Sequence, residues 1–236
     1  VQPGVGTLPL VSVQDAPRFD FRGMHVDVAR NFHSVESMQK LMDQMAAYKL
    51  NKLHIHLTDD EGWRLQIPSL PELTDVGARR GFALDNDGNV TETGSLMPQL
   101  GSGPFNSNHG SGFYTSAQFV SLLQYAAARK IDVIPEFDMP AHARAAVVAM
   151  RARAVNLGDA DGINVRVDDP EDTSRYLTIQ HYDDGILNPC IPGTYNFIET
   201  VINEVNAMYQ QAGLELEIFH MGGDEARNVF TGGGFQ

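Results

Sequence analysis

The chain has 236 residues, 42% hydrophobic and 20% charged, an ordinary globular composition long enough for one sizeable core. A net charge of −13 argues against nucleic acid or an anionic membrane as partner, because both favour basic surfaces, and no apolar run is long enough to span a bilayer. The single Cys190 excludes an internal disulfide and is expected to be a small packing residue; Val1 in place of an initiator Met fits a removed leader or an excised fragment alike and says nothing about location.

In chain order, a first strand is predicted near Phe19 to Val28. Val35, Met38, Leu41, Met42 and Met45 then recur at helical spacing after Ser34, which is placed to cap the helix with Glu36 in its first turn. A second strand, Lys52 to Leu57, leads into the Gly-, Asn- and Ser-rich stretch Asp85 to Gly112, read as a long excursion with no core of its own. Phe119, Leu122, Leu123, Ala126 and Ala127 form a second helical stripe after Thr115, whose partner Gln118 completes a capping box. The third strand is Ile131 to Phe137, and a second polar segment runs from Leu157 to Pro192. Long loops of this kind shape a substrate site, disorder being the plain alternative. The third stripe, Phe197, Ile198, Val201, Ile202 and Val205, ends at Gly213, and a fourth strand is expected over Leu214 to Met221. The methionines and aromatics of these stripes read as core. Strands alternating with helices imply an α/β fold with parallel pairing and right-handed crossovers. There is no internal repeat and no low-complexity tract.

The fourth strand runs into His220-Met221-Gly222-Gly223-Asp224-Glu225, where two glycines let the backbone turn sharply before two adjacent carboxylates. In barrels of alternating strands and helices, the C-terminal strand ends are where catalytic side chains collect. A carboxylate pair there suits acid chemistry on a sugar, one group donating a proton and the other staying charged. The plain alternative is a solvated strand-to-helix turn.

Three further segments lie at or just beyond predicted strands: Phe21-Arg22-Gly23-Met24-His25-Val26-Asp27, His54-Ile55-His56-Leu57-Thr58-Asp59-Asp60-Glu61-Gly62-Trp63-Arg64, and Pro135-Glu136-Phe137-Asp138-Met139-Pro140-Ala141-His142. Taken in order with His220 to Glu225, they resemble the glycoside hydrolase family 20 β-N-acetylhexosaminidases, with wording similar to the bacterial chitobiase branch. The resemblance covers residues 18–226, leaving 1–17 as a lead-in to a single catalytic domain. It implies a (β/α)8 barrel and an exo-acting enzyme that removes terminal N-acetylglucosamine or N-acetylgalactosamine from chitooligosaccharides. No cofactor and no metal are implied. In the family the nucleophile is the substrate's own 2-acetamido oxygen, so the reaction retains anomeric configuration without an enzyme nucleophile. Glu225 matches the general acid, which later serves as base for water, and Asp224 the residue that orients the acetamido group. By position, Arg22 matches the arginine that holds the terminal sugar's hydroxyls. Asp59 matches a substrate-contacting carboxylate, while Asp60, Asp138 and His142 match the supporting network, in which a carboxylate fixes the imidazole that assists Glu225. The family further implies a periplasmic, outer-membrane-associated or secreted bacterial protein.

Two other readings stay open. His54-x-His56 on a barrel strand also occurs in metal-dependent hydrolases, although such sites need further histidines and an aspartate from later strands, and the only late candidate is His220. The second alternative is an inactive fragment. A closed eight-stranded barrel takes about 250 residues before long insertions, and only the first four strands and three helices are legible here. The family's later segments carry a tryptophan-walled pocket and an acetamido-contacting tyrosine, whereas the only tryptophan is Trp63. The expectation is therefore a partial barrel, with self-association or a missing second half to complete it.

Overall fold

The computed structural model describes residues 10–91, 94–98, 103, 105, 107–158, 162, 164–172, 177–178 and 180–226. The start of the lead-in, parts of both long loops and the residues after Ala226 lie outside the described residues. In chain order the elements are β1 (Gly23–Asp27), α1 (Val35–Ala47), β2 (Lys52–Asp59), β3 (Gly62–Trp63), α2 (Glu72–Asp75), β4 (Ala83–Leu84), β5 (Val90–Thr91), α3 (Ser116–Ala127), β6 (Asp132–Phe137), α4 (Arg144–Asn156) and α5 (Pro192–Gln211). β2 is the centre of the sheet, parallel to β1 on one side and to β6 on the other, with β3 folding back antiparallel on its end. This is the α/β architecture with parallel pairing that alternation implied.

The two faces of the sheet differ in kind. Leu53, Ile55 and Leu57 of β2, with Val133 and Phe137 of β6, enter the apolar core formed with α1, α3, α4 and α5. Because side chains alternate along a strand, the intervening residues His54, His56 and Glu136 face the other way, His54 and His56 in register with His25 and Asp27 of β1 and Glu136 in register with His56. One face is thus covered by helices and the other is polar. Trp63 belongs to the covered side, its ring 5.4 Å from that of Phe137 and 5.7 Å from that of Phe197.

The foreseen helices form for the foreseen reasons. Ser34 Oγ accepts the Ser37 N–H at the start of α1, whose Met38, Met42 and Met45 are buried. Thr115 and Gln118 make the reciprocal capping box of α3. α1, α3 and α5 end alike, on a left-handed residue after which the next N–H reaches back into the last turn: Lys49, Lys130 and Gly213, followed by Leu50 to Met45, Ile131 to Ala126 and Leu214 to Tyr209.

Three expectations are corrected. α4 was not foreseen: Ala145 through Met150 are all buried, so the helix shows no single stripe, and Ala143 gives it no side-chain cap. The fourth strand does not form as a ladder, and only the Glu136–His220 bridge remains of it. Pro135, whose C=O accepts the His220 N–H at 3.0 Å, faces this segment but has no N–H to return lower down, and the neighbouring Val133 carbonyl is taken by the Tyr209 hydroxyl. Cys190 is exposed rather than packed, in a turn where the Asn188 side chain accepts its N–H.

Candidate active site

Asp59 closes β2, Asp138 follows β6, and His142 lies four residues beyond. The terminal segment is drawn beside them by Phe137 N–H to His220 C=O and Met139 N–H to Met221 C=O, each 3.0 Å. Gly222, at φ 65°, crosses so close to Asp138 that a Cβ there would overlap its carboxylate, and the Gly223 N–H donates to Asp138 Oδ1 at 3.0 Å. This crossing delivers Asp224 and Glu225 to the cluster.

His142 Nδ1 donates to Asp59 Oδ1 at 3.1 Å while its Nε2 faces Glu225 Oε2 at 3.3 Å. Both His142 and Glu225 hold φ at 53°, a left-handed conformation that costs an L-residue about 1–2 kcal/mol, so the contact is held by its surroundings against local preference. The other oxygen of Asp59 accepts from His56 Nε2 at 2.6 Å and pairs with Arg30 at 2.7 Å. His56 Nδ1 in turn faces Glu136 Oε2 at 2.8 Å. Glu136, His56, Asp59, His142 and Glu225 therefore form one continuous chain of alternating carboxylates and imidazoles.

Charge within the chain is fixed by this pairing. The Asp59 carboxylate, with Asp60 and Asp138 adding to its effect, raises His142 to about 9 against the opposing pull of burial. Burial alone would lower His56, but its hydrogen bonds to Asp59 and Glu136 outweigh it and raise the group to about 10. Asp59 is held below the usual carboxylate range because bonds from His142 and His56 and the charge of Arg30 overcome its burial. Both imidazoles are cationic at neutral pH. Two carboxyls go the other way: burial raises Asp60 to about 7, with the Asp59 charge adding to it, and burial with the nearby Asp224 charge raises Asp138 to about 7 against the Gly223 N–H. The site can thus hold carboxylate, imidazolium and neutral carboxyl within one hydrogen-bonded cluster.

The sequence matches glycosyl hydrolase family 20, catalytic domain, over residues 19–230. The chain belongs to this family. It is 54% identical over 235 residues to the N,N'-diacetylchitobiase of Vibrio harveyi and 49% identical over 222 residues to beta-hexosaminidase B of Pseudoalteromonas piscicida, covering 98% and 92% of itself but 26% and 28% of those proteins. The crystal structure of the GH20 exo beta-N-acetylglucosaminidase of Vibrio harveyi in complex with N-acetylglucosamine superposes with a TM-score of 0.66 at 42% identity, over 82% of this chain and 26% of that one. The GH20 beta-N-acetylhexosaminidase of Streptomyces coelicolor gives 0.61 at 29% identity, over 90% and 34%. The chain spans about a quarter of the length of the curated relatives named here.

Of the residues expected in this family 20 site, the structure brings Asp59, Asp60, Asp138, His142, Asp224 and Glu225 together. Arg22 is not among them, and this corrects the expectation. Its guanidinium donates to the carbonyls of Lys49, Phe19 and Asp20, at the end of the sheet where β1 and β2 begin. The arginine in the cluster is Arg30, whose three nitrogens reach Asp27 at 2.9 Å, Asp59 at 2.7 Å and Glu61 at 3.1 Å. The two arginines flank β1, and only Arg30 follows its C-terminal end, the end where site residues gather; that signal was in the sequence. His56 and Glu136 were also missed as network members, since alternation places β2 beside β6 but nothing in their spacing gives the register that sets the two side by side. His56 has both ring nitrogens engaged by carboxylates, which leaves no lone pair for the His54/His56 metal pair.

Proposed function

We propose that the chain supplies the first half of the (β/α)8 barrel of an exo-acting β-N-acetylhexosaminidase, which cleaves terminal N-acetylglucosamine or N-acetylgalactosamine from chitooligosaccharides by substrate-assisted, retaining catalysis. The observation that carries this reading is His142 held between Asp59 and Glu225. A cationic imidazole anchored by a buried carboxylate can pass charge stabilisation to Glu225 as that group gives up its proton to the leaving oxygen and later takes one from water. Asp224 stands beside Asp138, whose neutral form removes a repulsion and leaves Asp224 to meet the acetamido group and the oxazolinium charge. The polar face of the sheet is the interior wall that a closed barrel would have below such a site.

The test is leaving-group dependence in a complete family 20 enzyme carrying this chain. Glu225→Gln should lower turnover of a chitooligosaccharide far more than that of a nitrophenyl glycoside, because a nitrophenolate departs with little help and a sugar alkoxide does not. Equal losses on both substrates would remove Glu225 from the acid role. Asp224→Asn should instead impair both, and near-normal aryl rates in that variant would sink the substrate-assisted assignment.

A further inference from the structure

On the polar face of the sheet, one layer below the carboxylate cluster, Glu136 is surrounded by imidazoles. His25 Nε2 lies 3.6 Å and His54 Nε2 2.8 Å from the same oxygen, Glu136 Oε2, and the donor atoms of these three residues all fall within 4.8 Å of one another. The His54 Nε2 atom is buried and, although it lies 2.8 Å from the carboxylate, it directs no well-aligned hydrogen bond at it. A ring nitrogen that approaches a carboxylate oxygen without directing a bond at it is what two ligands of one ion look like, since each then points at a shared third position. In a tetrahedral site with bonds of about 2.0–2.1 Å, ligand atoms stand about 3.3 Å apart, between the two separations seen here.

We propose that His25 Nε2, His54 Nε2 and Glu136 Oε2 form a binding site for one divalent cation of the zinc class. Two imidazoles and a carboxylate are a borderline donor set that selects zinc or cobalt over magnesium or calcium, which take oxygen ligands. Two nearby histidines are excluded as ligands. His56 has both nitrogens committed to Asp59 and Glu136, and His220 turns Nδ1 to the Gly222 N–H at 3.0 Å and to the other Glu136 oxygen, Oε1, at 3.1 Å, outside the close group of donor atoms around Oε2. Three protein ligands leave a fourth position open. A cation there would also bear on His56, which shares Glu136 Oε2 with it: the ion withdraws the negative charge that His56 Nδ1 faces, and so reaches the Asp59 network through one residue. The site is distinct from the catalytic carboxylates, and its occupancy does not depend on the glycosidase reading.

Equilibrium dialysis of the metal-free chain against Zn²⁺ tests the proposal, because it counts metal per chain whatever the state of association. One Zn²⁺ per chain is expected, and Co²⁺ in its place should give the visible absorption of a tetrahedral centre. His25→Gln and His54→Gln should each weaken binding at least about tenfold, the loss that even supporting residues of metal sites cause, while His181→Gln, at an exposed loop position, should leave it unchanged. Should His54→Gln fail to fold by circular dichroism, His25→Gln decides alone, as its side chain is half-exposed and packs little. Undiminished zinc binding in His25→Gln, or no bound zinc in the unsubstituted chain, overturns the proposal.

Discussion

Asp59 serves three cations at once, His56, His142 and Arg30, whereas its neighbour Asp60 faces only His142, at 3.6 Å. Asp60 Oδ1 accepts the Arg144 N–H at 3.0 Å but Oδ2 makes no hydrogen bond, and the group is 1% exposed. Its raised value of about 7 has a definite sign: the stabilising contribution of the neutral form is complete below about 3.9, the unfolded value, and is lost as pH rises through about 7. Asp60→Asn cannot ionise, so its unfolding free energy should gain on the unsubstituted chain by about 2–3 kcal/mol between pH 5 and pH 8, measured by urea titration at each pH. A flat difference would show Asp60 ionised at pH 5. The histidines act later. Raised to about 9 and about 10, His142 and His56 contribute stability that is complete below about 6.5 and lost as pH climbs through those values, so a second, alkaline decline should appear in both proteins and be smaller in His56→Gln. Most of this site was legible, because Asp59, Asp138, His142, Asp224 and Glu225 sit in motifs at strand ends. Arg30 was passed over for Arg22 although strand direction separates them. The His56–Glu136 contact was only half readable: alternation places β2 beside β6, but the register that sets these two residues opposite each other, 80 positions apart, is not written in either strand.

Among the elements, the amphipathic helices were readable by their stripes and caps, and the failures have specific causes. α4 is buried all round from Ala145 to Met150 and carries its arginines at the two ends, so periodicity had no stripe to detect. Pro135 was visible in the sequence, yet its effect depends on which neighbour its missing N–H faces. Arg64, at the end of the β2–β3 hairpin, was quoted within a motif without a role, and the structure gives it a large one. Fully buried, it donates to the carbonyls of Val28, Ala29, Ala78, Gly110 and Gly112, joining the exit of β1 to two loops that no ladder holds. Burial lowers it to about 9, with Arg80 adding to the effect, which measures how little compensating negative charge it has. Arg64→Met should destabilise the fold by about 3 kcal/mol or more, since the carbonyls it satisfies are left without donors. Arg64→Lys should recover little, because a point charge with three donors cannot span carbonyls on both edges of a planar fork. Thermal unfolding of the two variants checks this; a lysine variant of near-native stability would mean that charge, not the fork, holds the loops.

At the scale of the whole molecule, the order β1, β2, β6, then residues 214–221, leaves two edges. Among the described residues β1 pairs with β2 alone, and the outer side of the 214–221 segment carries no strand. Apolar side chains stand exposed near both: Phe19, Phe21 and Met24 at one, at 61%, 60% and 39%, and Ile218 and Met221 at the other, at 44% and 43%. Unpaired parallel strands flanked by exposed apolar residues recruit other strands, and in the proposed half barrel the partners would be the remaining strands of the catalytic domain. The site meets the same boundary: Asp224 and Glu225 lie exposed on the open side, with His142 behind them and nothing among the described residues to exclude water in front. Produced alone, the 236-residue chain should therefore self-associate in light scattering and show no measurable hydrolysis of aryl N-acetyl-β-glucosaminides. Co-expression with the second half of a family 20 barrel should cover both edges, give a single particle of the summed mass and restore turnover. If the chain alone is a monodisperse monomer that hydrolyses the aryl substrate, the half-barrel reading fails, and the walls that exclude water must then come from the 236-residue chain itself.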